Sequence, residues 1–224
     1  MFVLPHQSLN RELTTTDLAR FDFYAPLVKQ LVVSHPCSAH PNVSPDVWPI
    51  FARVRGGRLP NLHSITLSEH FDGCRSMSTC VPVLLGPASQ LRELCLYLEW
   101  QHKVYAPNVL KSPFSDLVGS LPRTCPMLGK LKLTVGDPKS SPQYRADILA
   151  GAVCGLPQLV SLEVTGIPFP ACTFARIRTS PILSTLTIDV RATDHSQRAY
   201  VADASPEDDA FPSLSTLMLS SESM

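Results

Sequence analysis

One phrase returns seven times along this 224-residue chain and leaves it few ways to fold. Its skeleton is Pro-x-Leu-x-x-Leu-x-Leu. It reads L-P-N-L-H-S-I-T-L from Leu59, C-P-M-L-G-K-L-K-L from Cys125 and L-P-Q-L-V-S-L-E-V from Leu156. It reads S-P-I-L-S-T-L-T-I from Ser180 and F-P-S-L-S-T-L-M-L from Phe211. Looser copies place Val28, Leu31 and Val33, then Leu91, Leu94 and Leu96, at the same spacing. The first apolar positions are 28, 62, 91, 128, 159, 183 and 214, so the intervals are 34, 29, 37, 31, 24 and 31 residues. Six copies carry a proline two residues earlier, at Pro26, Pro60, Pro126, Pro157, Pro181 and Pro212, and Ser89 stands there in the third. Self-similarity at this period marks a repeat architecture.

In x-Leu-x-Leu the two leucines point to one side of a strand and the residues around them to the other. The leucine three positions earlier turns inward from the loop that leads into the strand. Proline donates no ladder hydrogen bond, so it fits just ahead of a strand. Between the phrases lie helix signals. Thr15 or Thr16 caps a helix, with Leu18, Phe21 and Tyr24 or Ala25 on one face, and Pro26 stops it. Ser44-Pro45, Ser112-Pro113 and Ser141-Pro142 are cap-and-proline starts. The second of these carries Phe114, Leu117, Val118 and Leu121, and the third runs through Leu149 and Val153 to Gly155. Residues 77–85 and 174–177 read as further short helices, residues 68–76 as loop, and residues 97–111 as an irregular insertion. A unit of strand, loop, helix and loop cannot bury its apolar side alone, but stacked units can. The expected fold is α/β: a single solenoid domain over residues 1–224, with about seven repeats, parallel strands on one face and helices on the other. An ordinary doubly wound α/β domain would show longer apolar strands and often a glycine-rich first turn, which this chain lacks.

Composition narrows the function classes. There are 19 basic and 19 acidic residues, giving a formal net charge of zero, whereas a dedicated nucleic-acid binder carries a basic face. The cation clusters Arg53, Arg55, Arg58 and Lys130, Lys132 read as helix-end and solvated charges. The acidic run Glu207 to Asp209 follows Ser205-Pro206 and reads as a helix start obeying the dipole rule. The cysteines number seven and never form C-x-x-C, which reads as reduced thiols in a cytoplasmic or nuclear protein. No secretory leader and no membrane span is expected, because Met1 to Leu9 lacks the basic and long apolar regions of a leader and no apolar run approaches the length of a span.

No catalytic motif is present: no G-x-S-x-G, P-loop, G-x-G-x-x-G or H-E-x-x-H. His35, Cys37 and His40 lie close in sequence, as do His70, Cys74 and Cys80, but neither set has the paired spacing of a structural zinc site. No cofactor, metal or enzymatic activity is expected.

The repeated phrases resemble the leucine-rich-repeat superfamily in its irregular long-repeat form. The segment L-T-T-T-D-L-A-R-F-D-F-Y-A-P-L-V-K-Q-L over residues 13–31 resembles the part that follows the F-box in F-box proteins of mushroom-forming fungi. The stretch W-P-I-F-A-R-V-R-G-G-R-L-P-N-L-H-S-I-T-L over residues 48–67 continues that likeness. No F-box-like helical segment is found in the chain. The resemblance therefore implies a protein-interaction module, the substrate-recognition half of an ubiquitin-ligase adaptor. It would meet a Skp1-type adaptor only through an F-box upstream of Met1. The alternative is a stand-alone leucine-rich-repeat scaffold with no ligase role. Either way the target protein is expected on the exposed strand face, formed by the residues before, between and after the strand leucines. On that face Tyr97, Lys130, Lys132, Glu163 and Asp189 are the expected contacts, because exposed aromatic and charged groups give most of an interface its specificity.

Overall fold

Each copy of the phrase ends in a strand, and in five copies a hydrogen-bonded turn leads into it. The computed structural model of the chain describes residues 15–34, 59–70, 90–99, 113–135, 149, 151–166, 173, 177–189 and 211–220. In five copies the carbonyl before the proline accepts the N–H three residues on, at 3.0–3.3 Å: Ala25 from Val28, Leu59 from Leu62, Cys125 from Leu128, Leu156 from Leu159 and Phe211 from Leu214. Proline occupies the second position of that turn, where its fixed φ is already correct. The residue before it faces inward, and Ala25, Leu59, Cys125 and Leu156 are all buried. The proline thus shapes the approach to the strand as well as staying out of its ladder.

The strands are β1 (Gln30–Ser34), β2 (Ser64–His70), β3 (Glu93–Glu99), β4 (Lys130–Val135), β5 (Ser161–Thr165), β6 (Thr185–Asp189) and β7 (Thr216–Ser220). They form one seven-stranded sheet in the order β1-β2-β3-β4-β5-β6-β7, each pair parallel. A second device sets the register. The carbonyl of the residue just ahead of each of β1 to β6 accepts two N–H groups from the next copy of the phrase. Lys29 takes His63 and Ser64, His63 takes Arg92 and Glu93, and Arg92 takes Gly129 and Lys130. Gly129 takes Val160 and Ser161, Val160 takes Ser184 and Thr185, and Ser184 takes Ser215 and Thr216. All twelve of these bonds measure 2.8–3.3 Å. Side chains repeat the pattern at both ends: Asn61 Nδ2 donates to the Pro26 carbonyl at 2.6 Å, and Ser213 Oγ donates to the Pro181 carbonyl at 2.5 Å.

That register stacks the apolar positions into columns. Leu31, Ile65, Leu94, Leu131, Leu162, Leu186 and Leu217 align, as do Leu67, Leu96, Leu133, Val164, Ile188 and Leu219. Ile65, Leu94, Leu131, Leu162 and Leu186 are wholly buried, whereas Leu217 is 48% exposed and Leu219 52%. A strand flanked on both sides buries its inward leucines, and the last strand leaves them half open. Leu62, Leu91, Leu128, Leu159 and Leu183, the turn leucines, complete the core.

Helices back the columns. The first helix, α1 (Thr15–Tyr24), runs into a 3₁₀ turn, Ala25–Leu27, that contains Pro26. Phe21 packs on the core and Ala25 is buried, but Tyr24 is exposed, so the apolar face ends on Ala25. The second helix, α2 (Pro113–Thr124), buries Leu117, Val118 and Leu121, as the sequence pattern expects. Residues 151–154 are helical and bury Ala152 and Val153, and Leu149, Thr173 and Ile177 are also helical and buried. At the end of the former, a Cβ on Gly155 would sit 2.8 Å from Pro122 Cγ, so α2 and the following unit approach as closely as only glycine permits.

Two expectations are corrected. Residues 68–70 are strand, not loop, and residues 97–99 extend β3 instead of opening an insertion. Pairing explains both, since Glu69 and His70 lie across from Leu98 and Glu99 and each extension supports the other. The expected helices from Ser44 and at 77–85, the helix start at Ser141-Pro142, the Arg53–Arg58 cluster, His35, Cys37, His40, Cys74, Cys80, residues 174–176 and the acidic run lie outside the described residues. No helix among the described residues is long and apolar enough to cross a membrane.

The columns make quantitative demands. Leu162→Ala is expected to cost about 2–5 kcal/mol of unfolding free energy. Leu217→Ala, already half exposed, is expected to cost about 1 kcal/mol or less. Urea denaturation distinguishes them, and equal costs would contradict the stacking. Gly155→Ala is expected to destabilise by about 1–3 kcal/mol through the clash with Pro122. Adding Pro122→Ala is expected to recover part of that loss in a double-mutant cycle.

Candidate partner-binding face

Strand alternation sends the residues between the core leucines to the opposite side of the sheet. In β3, β4 and β5 these are Glu93, Cys95 and Tyr97, then Lys130, Lys132 and Thr134, then Ser161, Glu163 and Thr165. The register sets Glu93 beside Lys130, Cys95 beside Lys132, and Lys132 beside Glu163. Opposite charges on neighbouring strands therefore meet. Lys130 Nζ lies 2.8 Å from Glu93 Oε1, and Lys132 Nζ lies 2.5 Å from Glu163 Oε1. Tyr97 is diagonal to Lys132, within reach for a long side chain. The Lys132 ammonium sits 5.7 Å from the Tyr97 ring centroid, in cation–π range. Ser64 Oγ donates to Glu93 Oε2 at 3.3 Å, which ties β2 into the same group.

Four of the five expected contacts, Tyr97, Lys130, Lys132 and Glu163, thus form one cluster over the middle of the sheet. Asp189 does not join it. It is the last residue of β6, aligned with Ser220 of β7 and two strands away from β4. Glu93 belongs to the cluster without being among the expected contacts. The sequence does carry a signal for it, since Glu93 and Lys130 occupy the same position in successive copies of the phrase. In-register stacking makes such positions neighbours. Cys95 also departs from simple alternation: it faces outward yet is buried, beneath the side chains around it.

The electrostatics follow from the pairing. The hydrogen bond from Lys130 holds the Glu93 carboxyl below its ordinary value of 4.5, against the opposing effect of burial. The same bond raises the Lys130 ammonium above 10.5, and the bond to Glu163 raises Lys132 likewise. Burial, reinforced by the charge on Glu93, pushes the Cys95 thiol up from 9.0, so it is a neutral thiol at pH 7 and a poor nucleophile. The two lysines and two glutamates sum to zero charge. The cluster is therefore a neutral, geometrically fixed patch with an aromatic ring and four charged heads. It suits recognition of a surface carrying paired charges better than capture of a lone anion. Among the described residues, no group of three or more His, Cys, Asp or Glu is arranged to hold a metal ion.

Comparison with protein-family models, with curated proteins and with solved structures finds no match to this chain.

The pairing has a pH signature. Glu93 is depressed, so its contribution is present above 4.5 and fades as pH falls below that value. The lysines are raised, so theirs is present below 10.5 and fades above it. At neutral pH the wild type is expected to exceed Glu93→Gln by about 0.2–1 kcal/mol, since these groups are partly exposed and screened. That gap is expected to close at pH 3. A gap that persists there in denaturation curves would assign the effect to something other than the ion pair.

Proposed function

We propose that the chain is a protein-interaction module built as a leucine-rich-repeat solenoid, with its outer strand face as the docking surface. The observation that carries this reading is the stacking of seven phrases in sequential, in-register order through one repeated hydrogen-bond device. Sequential parallel strands with helices behind them are what repeated strand–helix units produce when each buries its apolar side on its neighbours. Such stacking leaves one continuous face free of core duty. On that face the central cluster of Tyr97, Lys130, Lys132 and Glu163, with Asp189 further along, offers the specific contacts, and the surrounding Ser and Thr residues offer hydroxyl hydrogen bonds. We read the chain as a binder and not as an enzyme.

The resemblance of residues 13–31 and 48–67 to fungal F-box proteins supports a finer reading. In it this face selects the target protein of an ubiquitin ligase, and a Skp1-type adaptor is engaged through an F-box outside this sequence. A stand-alone scaffold would use the same face without the adaptor. Binding of this chain to a Skp1-type adaptor, alone and joined to its upstream genomic sequence, separates the two.

The face itself is tested by charge. Reversing both lysines, Lys130→Glu with Lys132→Glu, is expected to lower partner recovery at least about tenfold, the effect of losing central contacts in an interface. Swapping a pair instead, Glu93→Lys with Lys130→Glu, keeps the internal ion pair while inverting the pattern a partner meets. It is expected to weaken recovery while leaving thermal stability near wild type. Unchanged recovery by both variants would place the docking surface elsewhere.

A further inference from the structure

The charged heads in the middle of the outer face form a figure of definite shape. Lys130 and Lys132 stand two residues apart on β4. Glu93 on β3 aligns with the first, and Glu163 on β5 aligns with the second. Neighbouring strands lie about 4.8 Å apart, and alternate residues of one strand about 6.7 Å apart. The line from Glu93 to Glu163 crosses two strand spacings and one alternate-residue step, so it spans about 12 Å at the backbone. It crosses β4 at Leu131, and the two lysines straddle it. Along that line the charge runs negative, doubly positive, negative. The internal ion pairs leave these heads capacity for a second contact. An ammonium has three donors and a carboxylate about four acceptor sites. The side chains are also open to solvent, at 52% for Lys130, 36% for Glu93, 26% for Lys132 and 32% for Glu163. Internal pairing holds them in place, so a partner immobilises less side-chain freedom on arrival.

Taking the outer face as the docking surface, we propose that its partner presents an α-helix laid across β3, β4 and β5, with the pattern basic-x-x-acidic-acidic-x-x-basic. In a helix the residues i, i+3, i+4 and i+7 share one face. Positions i and i+7 lie about 10.5 Å apart along the axis, a little short of the Glu93–Glu163 span and within reach of long basic side chains. Positions i+3 and i+4 fall between them, one on each side of the midline. Basic residues at i and i+7 then meet the two glutamates, and acidic residues at i+3 and i+4 meet the two lysines. An extended segment fits worse. Its same-side residues repeat about every 6.7 Å, so it sets one residue over the middle, where two lysines stand apart. Net charge does not substitute for the pattern. A uniformly acidic or basic partner gains at two heads and loses at the other two, whereas the ordered helix satisfies all four.

The test uses synthetic alanine-based peptides of about 20 residues, long enough to be helical in water. One carries Lys-x-x-Glu-Glu-x-x-Lys and the other Glu-x-x-Lys-Lys-x-x-Glu, so length, composition and net charge agree. Circular dichroism verifies equal helicity, and fluorescence anisotropy measures binding to the full chain at low salt. The first peptide is expected to bind at least about tenfold tighter, since it gains four contacts where the second meets four like charges. Added salt is expected to shrink that advantage. A version of the first peptide with proline at its centre keeps the charges, loses the helix and is expected to bind at least about tenfold more weakly. Glu163→Gln is expected to cost the first peptide about two- to fivefold, the effect of one exposed contact. The inverted face, Glu93→Lys with Lys130→Glu, Lys132→Glu and Glu163→Lys, is expected to prefer the second peptide. Equal binding of the two helices, binding of neither, a proline-containing peptide that binds as well as the helix, or an unchanged preference in Glu163→Gln would each overturn the proposal. None of these results removes the docking face, which stands or falls on partner recovery by Lys130→Glu with Lys132→Glu.

Discussion

The structure depends on one shared acceptor per unit. A carbonyl just ahead of each strand binds two N–H groups of the next unit, and that choice settles the register of everything after it. Side chains alternate along a strand with a period of two, so a slip by one residue would turn the leucines outward and bring Glu93, Lys130, Lys132 and Glu163 into the core. The penalty for burying such charges unpaired is far larger than that of a lost hydrogen bond. Hydrogen-bond device and apolar pattern therefore enforce the same alignment, and the turn at X-Pro-x-Leu delivers the chain to it at a fixed angle.

The variable spacing of the phrases follows from this. Intervals range from 24 to 37 residues, yet every described link of the carbonyl series has the same form. Length differences therefore fall between the phrases and leave the described links unchanged. The same logic makes the outer face a place where sequence is free to vary. Burial dictates the leucine positions, while the residues between them answer only to their lateral neighbours. In β3, β4 and β5 that freedom is used for two ion pairs and a cation–π contact in one patch. In β1 and β7 it is used for the exposed apolar residues Val32 and Met218.

Much of this is legible in the amino-acid sequence. The strand leucines follow from the phrase, and α2 follows from Ser112-Pro113 with Leu117, Val118 and Leu121 at helical spacing. What is not legible depends on pairs, which a single strand does not reveal. The end of β2 at His70 exists because Glu99 lies across from it, although the alternation of Leu94, Leu96 and Leu98 already points past Tyr97. Glu93 follows the same rule, for its ion partner Lys130 comes from the neighbouring strand. The role of the residue before proline is hidden for a local reason: Ala25, Cys125 and the leucines Leu59 and Leu156 are not of one type, and what unites them is a turn carbonyl and an inward side chain. Among the expected contacts, Asp189 shows the converse limit, since charge on the correct face does not by itself bring a residue into the cluster.

Amide hydrogen exchange, residue by residue, addresses the shared-acceptor arrangement most directly. The donors of the inner links are Arg92, Glu93, Gly129, Lys130, Val160, Ser161, Ser184 and Thr185. If one device registers the whole sheet, these amides exchange slowly and as a group, with faster exchange confined to the outermost links. Rapid exchange at these amides in the folded protein, or protection that stops between β3 and β4, would contradict it.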